Sequence, residues 1–286
     1  MIYARLHGRL GNQLFQYAAA RGLAAHVGAE VAIDDRRLHE MGITPAEPLF
    51  HWKTVAPKNL PPMRSTSPLR YAAWRAAGRS PRFQRENDQS PDAFFGYGND
   101  VYLHGYWQRP HYFADIEDDL RQELRFARPP SDANKHMADK IAAQPSVSIH
   151  ARRGDFVNLG LAQKFSPDYY RAALELTVSK MGATPRVFIF SDDPDWAREN
   201  LTVPYDRVIV DHNGPEADYE DLRLISLCDH NVICGSSFSW WGAWLNANPG
   251  KIVVGPGTAD PATGRAGPKG WLHTDWYPIP ADGQQA

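Results

Sequence analysis

Short apolar runs alternate with longer segments of helical spacing along much of this chain. In the second half the pattern predicts strands at 147–150, 187–190, 207–210, 231–233 and 252–254. Between them it predicts helices at 131–143, 166–181, 194–201 and 218–227, with one more beginning after the loop 235–239. Strands and helices that alternate at these lengths favour a parallel sheet with right-handed crossovers.

The first half opens in the same way and then becomes irregular. A strand at 2–6, a glycine-rich turn at 8–13, a helix at 14–27 closed by Gly28 and a strand at 30–34 predict a β-α-β unit. Between residues 40 and 100, eight prolines and six arginines favour irregular surface with short helices. A strand at 101–106 and an amphipathic helix at 112–126 follow. Pro129-Pro130 then marks a predicted boundary between domains 1–130 and 131–286.

Composition narrows the class of protein. The 286 residues are 43% hydrophobic and 22% charged, with a formal net charge of −2, as in an ordinary globular protein without affinity for nucleic acid. Two cysteines cannot form a disulfide framework and are typical of a reducing compartment. The sequence shows no secretory signal and no stretch of the ~20 apolar residues that span a bilayer. We therefore expect a cytoplasmic protein.

The most informative polar cluster follows the apolar run 147–149. It reads His150-Ala151-Arg152-Arg153-Gly154-Asp155. Two adjacent arginines at a strand exit are costly unless anions meet them, and the planar guanidinium matches phosphate oxygens bidentately. The cluster therefore indicates a phosphate site, with a salt-bridged surface loop as the alternative.

Two further clusters fall at later strand exits. One contains Asp192 and Asp193, and the other contains Ser236, Ser237 and Ser239. Each has an alternative role as a helix cap, which is favoured for at least one of the aspartates. In an open parallel sheet, however, strand exits share one crevice, and a helix N-terminus there is a ready anion site. Together the clusters predict a nucleotide pocket, in which the arginines and serines hold a diphosphate and a carboxylate accepts hydrogen bonds from a base such as guanine.

Other nucleotide and metal signatures are missing or weak. The chain has no P-loop, and its turn at 8–13 lacks the spacing of a dinucleotide fingerprint. Asp193-Pro194-Asp195 has the D-x-D form of a divalent-cation motif, but the proline and the predicted helix start favour capping. We therefore expect no metal.

Three motifs in order resemble the α-1,2-fucosyltransferases, within the wider group of α-1,6- and protein O-fucosyltransferases. They are Gly11-Asn12-Gln13-Leu14-Phe15-Gln16-Tyr17-Ala18, the cluster 150–155, and Ser236-Ser237-Phe238-Ser239-Trp240-Trp241. The resemblance implies a GT-B-like α/β fold, with two Rossmann-type domains whose parallel sheets face each other across a cleft. The C-terminal domain would bind GDP-β-L-fucose and the N-terminal domain would lie on the acceptor side, without a metal or other cofactor.

The resemblance also implies roles for residues. The implied donor-binding positions are Asn12, His150, Arg152, Arg153, Asp192, Ser236, Ser237 and Ser239. Arg152 would contact the β-phosphate, with His150 and Asp192 at the nucleoside end and Asn12 reaching the diphosphate or fucose. The implied reaction inverts the anomeric centre, and Arg152 would stabilise charge on the leaving phosphate. Asp155 is the candidate general base, with a salt bridge to Arg152 or Arg153 as its alternative.

The acceptor and the reaction class are less constrained. We expect a galactose-containing oligosaccharide or a lipid-linked glycan of a bacterial polysaccharide pathway, fucosylated at O2 of galactose. The basic segment 40–100 would then be plain surface, a lip around the acceptor, or a face toward anionic lipids at the inner side of the membrane. The alternatives to this function are another GDP-sugar transferase, such as an α-1,6-type fucosyltransferase, and a non-catalytic glycan- or nucleotide-binding protein.

Overall fold

A computed structural model describes residues 1–77, 83–86, 91–154, 165–261, 263–266 and 270–281. The chain divides into two compact units, Met1–Ala127 and Arg128–Ala286. This division lies beside Pro129-Pro130, the predicted boundary. The functional roles assigned to the two domains stay predictions.

The first unit holds a four-stranded parallel sheet. Its strands are β1 (Ile2–Arg5), β2 (Val31–Asp34), β3 (Phe83–Arg85) and β4 (Val101–His104), in the order β2-β1-β4-β3. Its helices are α1 (Leu10–Val27), α2 (Arg36–Glu40), α3 (Pro68–Ala77), α4 (Pro91–Phe95) and α5 (Glu117–Glu123), with 3-10 turns at Glu47–Leu49, Pro110–Tyr112 and Ala114–Ile116. Gly8, at φ 79°, turns the chain from β1 into α1 through a conformation that glycine adopts without strain.

Register divides the side chains of this sheet between two faces. Tyr3 pairs with Ala32 and Tyr102, and these three side chains pack together on one face. Two residues on from Tyr3, Arg5 pairs with Asp34 and points to the same face, whereas the intervening Ala4 points to the other. Charged side chains therefore meet at the carboxyl end of an otherwise apolar face.

Three predictions for the first unit were wrong in detail. Helix α1 begins at Leu10, so Asn12 lies in its first turns rather than in a glycine-rich turn. The helix predicted at 112–126 is two 3-10 turns followed by the short α5, because Phe113 and Ile116 have φ of −140° and −125° and interrupt it. Strand β3 was missed, since three residues carry too little periodic signal to mark a strand.

The second unit holds a six-stranded parallel sheet. Its strands are β5 (Ser146–Ala151), β6 (Arg186–Ser191), β7 (Arg207–Val210), β8 (His230–Val232), β9 (Val253–Pro256) and β10 (Tyr277–Ile279), in the order β10-β9-β8-β5-β6-β7. Its helices are α6 (Asp132–Ala142), α7 (Pro167–Met181), α8 (Pro194–Asn200), α9 (Asp218–Leu227) and α10 (Ser237–Leu245), with a 3-10 turn at Pro215–Ala217.

Local chemistry explains several boundaries of this unit. Ser166 caps α7 by accepting a hydrogen bond from the Tyr169 amide, and Gly182 ends the helix in the left-handed region, both as predicted. Every residue of β5 is buried, as expected for a strand in the interior of a parallel sheet. Strand β10 was missed because Pro278 cannot donate a backbone hydrogen bond. The structure accommodates it at the edge of the sheet.

The predicted α/β class is confirmed, since each unit is built on a parallel sheet with helical connections. The arrangement of the two sheets across a cleft stays a prediction. No described helix is both long enough and apolar enough to cross a membrane.

Candidate functional site

The three polar clusters of the second unit lie at one edge of its sheet. Strands β5 and β6 are neighbours whose last residues, Ala151 and Ser191, are paired in register. Strand β8 pairs with the other side of β5. Residues 152–154, 192–193 and 235–239 therefore leave the sheet side by side, as the sequence predicted from parallel topology.

Asp192 joins the first two clusters. One carboxylate oxygen, Oδ2, lies 2.9 Å from Nη1 of Arg152, and the other, Oδ1, accepts a hydrogen bond of 2.7 Å from the Arg153 amide. A Cβ at Gly154 would stand 2.5 Å from Asp192 Oδ2, so the backbone approaches this carboxylate as closely as only glycine allows. The carboxylate of Asp192 thus contacts Arg152 and the Arg153 amide, and its predicted place at the nucleoside end stays a prediction.

The neighbouring pair, Arg153 and Asp193, is arranged differently. The guanidinium of Arg153 lies over the Trp196 ring, 4.1 Å from its centroid, and its Nε is 3.6 Å from Asp193 Oδ2. This Nε is buried and has no hydrogen-bond partner among the residues that the structure describes. Asp193 itself caps α8 by accepting from the Trp196 amide at 3.1 Å, the role predicted for at least one of the two aspartates.

His150 lines the site as a buried, neutral side chain. Only 5% of its surface is exposed, and its ring packs against Phe238 with 5.2 Å between centroids. Burial lowers the pKa of His150 to about 4, with a further lowering from the Arg152 charge that Asp192 partly opposes. Near neutral pH it therefore adds no positive charge beside the arginines.

Two of the three predicted serines shape the loop before α10. Ser236 caps this helix by accepting from the Phe238 amide. Ser239 is fully buried, and its hydroxyl donates to the Ser236 carbonyl oxygen at 3.0 Å, with the Cys234 carbonyl oxygen 3.4 Å away. Only Ser237, the first residue of the helix, is partly exposed at the strand exits.

The tryptophans that follow are structural. Trp240, Trp241 and Trp244 are buried, and the Trp240 indole donates to the Trp271 carbonyl oxygen at 2.9 Å. The first two rings meet edge to face with 5.0 Å between centroids. Their packing fixes α10 against the rest of the second unit and thereby holds the N-terminus of this helix at the strand exits.

Two predicted positions lie elsewhere. Asp155 falls outside the described residues. Asn12 belongs to the first unit, where its Oδ1 accepts a hydrogen bond of 2.7 Å from Gln108 Nε2. Gln108 was missed by sequence reasoning, because it lies in an irregular segment without a motif.

At the second unit's strand exits, each of two arginines is paired with an aspartate, and a helix begins beside them. The side chains of Arg152 and Arg153 are 14% and 21% exposed, and the start of α10 contributes the positive end of a helix dipole. Within the described ranges, no group of three or more His, Cys, Asp or Glu residues could hold a metal ion.

Comparison with known proteins identifies the class of protein. The family model described as glycosyl transferase family 11 matches residues 84–273, which is more than half of the chain. Relatives that align over most of the chain are named a colitosyltransferase and a fucosyltransferase, which are enzymes that transfer sugars. The protein is therefore a glycosyltransferase. It belongs to glycosyl transferase family 11.

The similarity to individual relatives is moderate. An alpha-1,2-colitosyltransferase of Escherichia coli is 27% identical over 272 residues, covering 90% of this chain and 91% of the relative. The O-antigen biosynthesis glycosyltransferase WbnK of Escherichia coli is 35% identical over 127 residues, which is 42% of either chain. A galactoside alpha-(1,2)-fucosyltransferase 1 of Leontocebus fuscicollis is 26% identical over 256 residues, covering 83% of this chain and 63% of the relative. The alignments with the last two thus span less than two thirds of those relatives.

Among solved structures, the fucosyltransferase NodZ from Bradyrhizobium matches 84% of this chain and 91% of its own, at a TM-score of 0.46 and 13% identity.

Proposed function

We propose that this glycosyltransferase moves L-fucose from GDP-β-L-fucose to a hydroxyl of a glycan acceptor, at O2 of a galactoside, with inversion and without a metal. The three motifs that resemble the α-1,2-fucosyltransferases support this donor and linkage. The observation that carries the proposal is the ion pair of Asp192 with Arg152, which fixes a guanidinium at the strand exits of a nucleotide-binding type of sheet.

The chemistry assigns Arg152 to the leaving group. The acceptor oxygen attacks C1 of fucose while the bond from C1 to the β-phosphate oxygen breaks, so negative charge grows on the departing GDP. A preorganised donor aimed at that charge contributes about 3–4 kcal/mol, or roughly 10²–10³ in rate. Because the carboxylate of Asp192 already holds the guanidinium, Arg152 requires little reorganisation during the reaction.

The other residues complete the donor site. Arg153 lies beside Arg152 with a guanidinium side chain that is 21% exposed, and we assign it to the diphosphate. Ser237 and the amides at the start of α10 would bind the same diphosphate, while Ser236 and Ser239 hold their loop. His150 would line the nucleoside end as a neutral group, and Asn12 would serve the donor from the first unit.

The acceptor hydroxyl must lose a proton, and Asp155 is the candidate base. Its alternative is a salt bridge that orients Arg152 or Arg153, beside the contact that Asp192 already makes with Arg152. A pH–rate profile of Asp155→Asn tests the assignment. Loss of the acid-limb ionisation with unchanged affinity for GDP supports a base, whereas weakened affinity for GDP supports a brace.

Product analysis tests the function as a whole. The protein is incubated with GDP-fucose and a panel of β-galactosides, and NMR determines the linkage of the product. We expect an α-1,2-linked fucose. A 1,6 linkage would assign the α-1,6 reaction instead, and GDP binding without transfer to any acceptor would leave the non-catalytic alternative.

A second donor is favoured by one comparison. The relative that aligns over 90% of this chain is named an alpha-1,2-colitosyltransferase. GDP-colitose, whose sugar lacks one ring hydroxyl of fucose, is therefore the alternative donor. Competition between the two donors at equal concentration decides by the ratio of their kcat/KM values.

A further inference from the structure

The first unit contains a cavity of about 500 Å³ that the donor site does not use. It lies on the sheet face that carries Arg5, Asp34 and Tyr102, and residues 61–65 together with α3 form its outer wall. Its volume falls within the range of small-molecule sites. Arginines and aromatic rings dominate its lining.

Two of its four arginines are neutralised within the protein. Arg36 binds both oxygens of Asp34 at 2.7 and 2.8 Å, and Arg37 pairs with Glu40 at 3.0 Å. Both carboxylates that line the cavity are thereby occupied. The cavity keeps an excess of two positive charges.

The other two arginines, Arg5 and Arg64, have no carboxylate within ion-pairing distance in the described ranges. The Nη1 of Arg5 instead meets Nε2 of His104 at 3.3 Å. Burial, and next the Arg5 charge, lower the pKa of His104 to about 4, so this imidazole is neutral at pH 7 and accepts from Arg5 without pairing its charge. The Arg5 charge acts on Glu40 from beyond ion-pairing distance, and Glu40 is already paired with Arg37. A partly buried guanidinium beside a neutral ring is a site for an anion from outside the protein.

Four aromatic side chains of the lining contact one another in sequence, from the sheet face to α3. Tyr102 stacks on Phe83 with 5.5 Å between centroids and 16° between planes, Phe83 meets Trp74 edge to face at 5.3 Å, and Trp74 lies 5.9 Å from Tyr71. Such rings offer flat apolar surface to the C–H face of a pyranose. The cavity thus pairs a surface for a sugar ring with a site for a negative charge.

We propose that this cavity binds the acceptor and that the acceptor is an anionic sugar, a pyranose ring bearing a carboxylate or a phosphate. This inference rests on the proposed function for its acceptor role. The aromatic side chains hold the ring while Arg5 and Arg64 bind the anion. A neutral glycan would leave both guanidiniums without a counter-ion.

Binding is tested first, on the full chain without donor. Titration calorimetry compares methyl β-D-galacturonide, galactose 6-phosphate and methyl β-D-galactoside as probes. We expect at least one anionic probe to bind about tenfold more tightly than the neutral galactoside and to weaken with added salt. The better of the two anions identifies the carboxylate or the phosphate as the group recognised. Equal affinity for all three probes overturns the proposal.

Single variants and a matched control test whether the anion binds in this cavity. Arg5→Gln should lower anion affinity about tenfold, and Arg64→Gln, which changes an exposed residue, about threefold, with little effect on the galactoside. Arg70→Gln is the control, since Arg70 is an exposed arginine of α3 outside the cavity lining. An unchanged preference for anions in both Arg5→Gln and Arg64→Gln contradicts the proposed site.

Kinetics then separate this inference from the proposed function. With an acceptor that carries the preferred anion, Arg64→Gln should raise the acceptor KM about threefold while kcat and affinity for GDP stay unchanged. Anion binding without any effect on transfer kinetics would refute the acceptor role. Absence of GDP binding in the unmodified protein would instead refute the proposed function, with the anion titration still interpretable.

Discussion

Asp192 offers the sharpest test of how the donor site works. In Asp192→Asn the side chain keeps its shape and its Oδ1, so the hydrogen bond from the Arg153 amide can persist. What disappears is the negative charge 2.9 Å from Arg152 Nη1. The substitution therefore isolates the electrostatic brace from the backbone contact.

The magnitude follows from partial burial. The two side chains are 14% and 24% exposed, so the pair stands between an exposed ion pair worth 0–1 kcal/mol and a buried one worth about 3–5 kcal/mol. A loss of about 2 kcal/mol in transition-state stabilisation corresponds to roughly a 30-fold fall in kcat. Affinity for GDP should change by less than about threefold, because the lost orientation is offset by removal of a negative charge near the diphosphate.

The assay is steady-state transfer from GDP-fucose together with GDP titration. Asp193→Asn is the matched control, because asparagine is an equally good helix cap. The carboxylate of Asp193 lies 3.6 Å from Nε of Arg153, whereas that of Asp192 contacts Arg152. The control should keep kcat within about threefold. A kcat of Asp192→Asn within twofold of the unmodified protein refutes the brace. Loss of GDP affinity with normal kcat would instead support the predicted place of Asp192 at the nucleoside end.

Three further predictions address the catalyst, the pH dependence and the stability of the fold. Arg152→Ala should lower kcat about 10²–10³-fold in a protein that still unfolds cooperatively, and near-normal turnover would contradict the assignment of Arg152 to the leaving group. Burial raises the pKa of Asp221 to about 7, so the folded state holds a proton that the unfolded chain releases near pH 3.8, and stability falls as pH rises between these values. Asp221→Asn should therefore raise the free energy of unfolding by up to about 4 kcal/mol at pH 8 and by little at pH 4, and an equal gain at both pH values would contradict this. Glu123 is 1% exposed and accepts two hydrogen bonds from Arg21, so Glu123→Ala should cost about 3–5 kcal/mol in urea unfolding; a cost below 1 kcal/mol would show that the pair is dispensable.

Topology made the location of the site predictable. Once the alternation of strands and helices indicated a parallel sheet, the clusters after 147–150, 187–190 and 231–233 had to emerge at one edge. The capping roles of Asp193 and Ser166 were also predictable, because caps depend on neighbours within one turn.

The contacts within the site were not predictable in the same way. The ion pair of Asp192 with Arg152 depends on the register of their two strands, in which Ala151 pairs with Ser191. Register is set by packing across strands rather than by local sequence. Burial of Ser239 likewise depends on the loop closing onto its own carbonyl groups. The cavity of the first unit needed the covering segment 61–74, whose prolines and arginines gave no periodic signal.

The central claim is that Arg152 binds the β-phosphate of a guanosine diphosphate, and a comparison of GDP with GMP by titration calorimetry tests it most directly. The unmodified protein should bind GDP at least about tenfold more tightly than GMP, since only GDP carries the β-phosphate. Arg152→Ala should abolish that preference. Arg171→Ala, which removes an exposed arginine of α7 paired with Asp168, should keep it. Equal affinity for GDP and GMP in the unmodified protein, or an undiminished preference in Arg152→Ala, would contradict the account.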